Sequence, residues 1–137
     1  MDLLNNLLFF LIAVAILVSF HEFGHFIVAR WLGVRVLKFS IGFGKTIWSW
    51  KKTPVGTEYA VGMIPLGGYV RMLDEREGNV DPQDRDKAFN RKPLSTRSLI
   101  VLAGPAANLL LAILLYWSIG LIGNEDLKPV VGSVTQG

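Results

Sequence analysis

Two long apolar stretches divide the chain. The first starts at Leu3, runs through Leu7 to Phe20, is interrupted by His21-Glu22-Phe23-Gly24-His25, and resumes as Phe26-Ile27-Val28-Ala29. The second begins near Ser98 and reaches Gly123 without a charged side chain. A helix needs about 20 apolar residues to cross a hydrocarbon core. Both stretches therefore predict membrane spans, over residues 3–33 and 98–123. Between them the period drops to two. Phe39, Ile41 and Phe43 alternate with Ser40 and Gly42, and Tyr59, Val61 and Met63 alternate with Glu58, Ala60 and Gly62. Such alternation predicts strands. Gly42, Gly44, Gly56, Gly67 and Gly68 supply turns or close backbone approaches, and Pro65 ends a strand or marks an edge.

The fold class that follows is a membrane α-helical protein carrying a small antiparallel β-sheet, with two transmembrane helices flanking a β-rich loop. The sheet is expected over 34–72, with Val61 at its edge. A cytoplasmic loop and interfacial segment follow over 73–97; LDEREGNVDPQDRD at 73–86 reads as an exposed, turn-rich loop and 87–97 as a short interfacial helix. Residues 124–137 open a further, periplasmic unit, with a strand expected at Lys128–Gly132. No internal repeat is present.

Composition sharpens this picture. The 137 residues are 51% hydrophobic and only 18% charged, with a mean hydropathy of +0.41. Ordinary globular domains carry roughly 25% charged residues. With no cysteine, disulfide frameworks and thiolate metal sites are excluded, and any metal must be held by His and carboxylate. The net charge of +3 does not point to nucleic acid. Its distribution is more telling, because every Lys and Arg except Lys128 lies between Arg30 and Arg97. The positive-inside rule then places the loop in the cytoplasm and both ends outside it. The same loop can also meet acidic headgroups of the lipid bilayer. Trp48, Trp50, Tyr116 and Trp117 read as interfacial aromatics. A cleaved signal peptide fits the first stretch poorly, since MDLLNN holds no basic residue and Ala13-Val14-Ala15 sits inside the apolar run.

The interruption of the first span carries the chemistry. His21-Glu22-Phe23-Gly24-His25 has the form H-E-x-x-H. Residues four apart share one face of a helix, so the two imidazoles can bind one zinc ion. Glu22 is then placed to take a proton from a water that the ion activates. Three fixed positions arise by chance in soluble helices. In a span, however, each ionisable residue costs about 2.5–3.5 kcal/mol even on the lenient insertion scale. With Arg30 at the boundary, His25 and His21 lie about 7 and 14 Å inside. An intramembrane His/Glu ion or proton pathway is the alternative, as is a non-enzymatic scaffold. Gly24 costs roughly 1 kcal/mol in a helix interior and predicts close packing by the sheet or a substrate backbone. In the second span, Ala103-Gly104-Pro105-Ala106-Ala107-Asn108 has small residues four apart. Two readings of Asn108 stand side by side: a packing seam with one satisfied amide, or a hydrogen bond to substrate backbone or catalytic water.

HEFGH at 21–25, FSIGFG at 39–44, GTEYAVGMIPLGGYVRMLDE at 56–75 and AGPAAN at 103–108 together resemble the site-2 protease family of intramembrane zinc metalloproteases. The resemblance runs along essentially the whole chain. It implies Zn²⁺ held by His21 and His25, with Glu22 as the catalytic carboxylate. It implies that the segment around Gly42, Phe43 and Gly44 is a membrane-reentrant β-hairpin holding substrate in extended form; strand addition unwinds a helix and exposes its peptide bonds. Gly42, Phe43, Gly44 and Asn108 are the expected substrate contacts. The implied substrates are pre-trimmed transmembrane proteins, such as an anti-sigma factor and remnant signal peptides, cleaved in regulated intramembrane proteolysis at the bacterial inner membrane. The family's third zinc ligand is an Asp in an L-D-G motif on a later span, which this sequence lacks; Asp74 follows Leu73 but precedes Glu75. The expectation is a fragment of a longer protease, inactive alone.

Overall fold

The computed structural model describes residues 2–123, so the strand expected at Lys128–Gly132 lies outside it. Helix α1 spans Asp2–Trp31, strands β1 and β2 span Val36–Lys51 and Glu58–Met72, and helix α2 spans Leu94–Ile122. Two 3₁₀ turns, Pro82–Lys87 and Phe89–Arg91, precede α2.

Helix α1 is apolar from Leu7 to Val18 and carries no glycine before Gly24. It stops at Gly33, which is left-handed at φ 75°. Gly33 N donates to the Arg30 carbonyl at 3.2 Å and Val34 N to the Ala29 carbonyl at 2.9 Å. Those two bonds form a Schellman cap and satisfy carbonyls the helix end would leave open. Both helices are long and apolar enough to cross a membrane. Their outward faces are bare: Leu3, Leu7, Phe9, Phe10, Leu109 and Ile113 are all exposed. Apolar surface on this scale belongs against lipid or partner protein, not water.

β1 and β2 form one long antiparallel hairpin, pairing Lys51 with Glu58 at one end and Val36 with Met72 at the other. The hairpin is folded over on itself midway. Its far half returns along its near half, so Lys38–Ile41 also pair in step with Glu58–Val61. The result is a four-segment sheet ordered 68–72, 36–41, 58–61, 46–51. The corner needs glycine. A Cβ on Gly62 would lie 2.6 Å from both the Gly42 carbonyl carbon and the Phe43 oxygen, and Gly42 itself has φ 87°. Pro65 sits in this corner, between Ile64 and Leu66. Val61, expected at an edge, is instead flanked on both sides, by Trp48 and by Ile41. The free edges belong to 46–51 and 68–72.

The sheet is held to α1 directly beyond the H-E-x-x-H segment. Phe26 packs on Phe39 at 5.1 Å and on Tyr59 at 5.9 Å between ring centroids. Arg30 caps this cluster, 5.5 Å from the Phe26 ring and donating to the Tyr59 hydroxyl. Phe26, Ala29, Val34, Val36 and Ile100 form the buried core. The expected interfacial helix at 87–97 is not one element: the 3₁₀ turns end at Arg91, and α2 starts directly behind Pro93.

The charged loop after β2 is tied down rather than loose. Leu73 N donates to the Arg35 carbonyl and Arg35 N to the Lys87 carbonyl, while Phe89 N donates to Leu73. Glu75 accepts from Asn90 at 3.0 Å and from Arg91 at 2.9 Å, and Asp84 pairs with Lys87 and Arg35. The Arg91 and Asn90 donors hold the Glu75 carboxyl below its usual range. Lys87, with Arg35, does the same for Asp84, and Arg76 for Asp74.

Candidate metal centre

α1 and α2 cross where both present small residues. A Cβ on Gly24 would collide with the Ala103 carbonyl oxygen and lie 2.7 Å from the Ala107 Cβ. Gly24 is therefore required by α2, not by the sheet or a substrate backbone as its cost in a helix suggested. Close approach through small residues is how apolar helices pack in lipid, where burial of Leu gains nothing.

This crossing sets the two histidines against α2. His21 and His25, one turn apart on α1, have ring centroids 4.7 Å apart and planes at 82°. His25 Nδ1 lies 2.7 Å from the Ile100 carbonyl oxygen. His21 Nδ1 lies 3.3 Å from Asn108 Nδ2. Ile100, Gly104 and Asn108 are four apart and form one stripe along α2. With each Nδ1 turned to an end of that stripe, both Nε2 atoms meet its middle. A Cβ built on Gly104 would lie 2.7 Å from His21 Nε2 and clash with His25 Nε2. Gly104, having no Cβ, thus leaves room for both nitrogens to approach one point beside α2.

That space fits the metal the sequence implies. Two imidazole nitrogens converge on a cradle one methyl group would fill, which is a donor set suited to zinc among the imidazole-binding metals. The described residues hold no cluster of three or more His, Cys, Asp or Glu. Glu22 lies between the two histidines in sequence and is half-buried. Among the described residues, no side-chain hydrogen bond or ion pair takes up its carboxylate.

Beside the site, Ser19, Phe20 and Phe23 of α1 and Phe39 and Ile41 of β1 line a groove of about 320 Å³. It leads from α1 to the hairpin corner, where Gly42 and Gly44 take positive φ. Phe43 is 44% exposed and stacks on Tyr69 at 6.4 Å, and Met63, Ile64 and Leu66 are exposed beside it. Gly42, Phe43 and Gly44 are thus at an apolar tip, not against the imidazoles. Asn108 is against an imidazole and partly buried. Sequence reasoning missed Gly104, the Ile100 carbonyl and the groove aromatics. The four-residue spacing of Gly104 and Asn108 was the available signal.

Comparison with known proteins identifies the family. Residues 9–135 match the model of Peptidase family M50. The chain is 50% identical over 135 residues to a regulator of sigma-E protease, RseP, of Salmonella typhimurium, covering 98% of the chain and 30% of that protein. It is 50% identical to protease RseP of Yersinia pestis over the same shares, and 49% identical over 134 residues to the RseP of Escherichia coli K12. The chain spans about three tenths of the length of these relatives. With nearly all of its residues matched by one family model, the chain belongs to Peptidase family M50.

Proposed function

We propose that this chain carries the H-E-x-x-H half of an intramembrane zinc metalloprotease. The observation that carries the proposal is the convergence of both Nε2 atoms over Gly104, with Glu22 next to His21 in sequence and its carboxylate taken up by no side chain among the described residues. An ion or proton pathway would not need two ring nitrogens aimed at one point. His21 and His25 would hold zinc, which supplies Lewis acidity to a water and to the scissile carbonyl. Glu22 takes the proton of the attacking water on a carboxylate oxygen and delivers it to the departing amide nitrogen. Two nitrogen donors fill half of a four-coordinate site, so further ligands complete it.

The substrate reading follows from the sheet. A peptide laid along a free edge, 46–51 or 68–72, is held extended, with its main chain hydrogen-bonded and its peptide bonds open to attack. The apolar corner at Gly42, Phe43 and Gly44 is suited to enter the bilayer beside α1, and the groove at Phe20, Phe23 and Ile41 to accept an apolar side chain. Transmembrane segments of pre-trimmed proteins, an anti-sigma factor among them, are the substrates proposed; two of the three relatives above are named as regulators of sigma-E. The inner membrane is the proposed location, with the loop after β2 cytoplasmic and both ends of the chain periplasmic. In the full-length protein in liposomes, cleavage of an embedded transmembrane peptide should stop on chelation and return with zinc. Cleavage indifferent to chelation would contradict the proposal.

A further inference from the structure

The two histidines are not fixed in the same way, and the difference assigns a role to Asn108. The Ile100 carbonyl can only accept, so His25 donates from Nδ1 at 2.7 Å and keeps its Nε2 lone pair free. Among the described residues, His21 Nδ1 meets no backbone carbonyl; it meets the Asn108 carboxamide, whose two ends are opposite in character. If Nδ2 faces the ring, Nδ1 must accept and the proton goes to Nε2, which blocks that nitrogen. If Oδ1 faces it, Nδ1 donates and Nε2 is bare. The Nδ2 contact is long at 3.3 Å, and Oδ1 is buried without a partner among the described residues. Turning the amide exchanges which end lacks a protein partner, so satisfaction alone does not choose. The choice is made at the ring: only the Oδ1 contact leaves both Nε2 atoms able to bind at Gly104.

We propose that Asn108 is a positioning residue that accepts the His21 Nδ1–H through Oδ1 and so locks the ring in the tautomer that ligates through Nε2. Asn108 and the Ile100 carbonyl then act as a pair, one helical turn either side of Gly104, each orienting one ligand. The role rests on the metal reading above, but the tautomer can be measured without metal. Nitrogen-15 spectra of imidazole-labelled, metal-free full-length protein should show His21 protonated at Nδ1. Asn108→Leu should shift that proton to Nε2 and weaken zinc binding about 10- to 100-fold, the usual loss for a partner behind a ligand. Asn108→Asp, whose carboxylate can only accept, should retain both the Nδ1 proton and zinc affinity. A wild-type His21 protonated at Nε2, or a tautomer unchanged in Asn108→Leu, overturns the assignment even if zinc binds. The Nδ1 tautomer found in a protein that binds no zinc would uphold the orientation and refute the metal reading instead.

Discussion

Gly104→Ala tests the cradle with one methyl group. The new Cβ would sit 2.6 Å from His25 Cε1 and 2.7 Å from His21 Nε2, where ordinary contact starts at 3.4 Å. The His21 ring must therefore retreat by about 0.7 Å, and the His25 ring, whose Nε2 is closer still, by more, against a tolerance of about 0.2 Å for metal–ligand distances. They cannot retreat freely, because Ile100 and Asn108 hold their Nδ1 sides and Gly24 already abuts Ala103. Overpacking of this kind costs about 1–3 kcal/mol, partly offset by about 1 kcal/mol from replacing a helix glycine. The fold should survive, while zinc affinity in the full-length protein falls by at least the 10- to 100-fold seen when a ligand's supporting group is lost. Gly120→Ala on the same helix is the control: among the described residues, no atom outside its own stretch of helix backbone lies within 4 Å of its Cβ position. Zinc stoichiometry and affinity, read alongside thermal unfolding in detergent, decide the matter. A Gly104→Ala protein with wild-type zinc affinity would refute convergence of the two nitrogens on this space.

Two further outcomes follow from the loop and from charge placement. Glu75, Asp84 and Asp74 titrate below their unfolded values, so their contribution to the folded loop is complete above about pH 4.5 and is lost as pH falls through the lowered folded values. Hydrogen exchange at the Glu75 and Phe89 amides, corrected for intrinsic rates, should therefore lose protection below about pH 4 while the Val34 amide at the α1 cap does not; protection independent of pH would remove the ion pairs from the account. Cysteines at Asn79 and Gln136 should be labelled by an impermeant reagent from opposite sides of the membrane, and labelling from one side contradicts the two-span topology.

The parts of this structure that were legible in the sequence are those set by local pattern. Hydropathy marked both helices, alternation marked the strands, and the four-residue spacing of His21 and His25 put them on one face. The parts that were not legible depend on contacts between distant residues. Alternation around Ile41 and Val61 specifies strands but not a hairpin folded back on itself, so Val61 reads as an edge residue until Ile41 is seen beside it. The cost of Gly24 showed that something packs closely there; only the crossing identifies it as Ala103 and Ala107. Gly104 looks like one more small residue in a packing stripe, because its role lies in the two imidazoles above it. The segment 73–86 reads as an exposed, turn-rich loop, yet Glu75 finds partners on Asn90 and Arg91, and Asp84 on Arg35, which no local rule pairs.

Glu22→Gln in the full-length protein is the most direct test of the central claim that ligation and proton transfer are divided among three neighbouring side chains. Gln keeps the shape and reach of the carboxylate but cannot accept a proton. The account predicts that Glu22→Gln retains zinc at wild-type stoichiometry while hydrolysis of a membrane-embedded peptide is lost, whereas His21→Ala and His25→Ala lose both. Full cleavage by the Glu22→Gln protein, or loss of its zinc with fold intact, would contradict it.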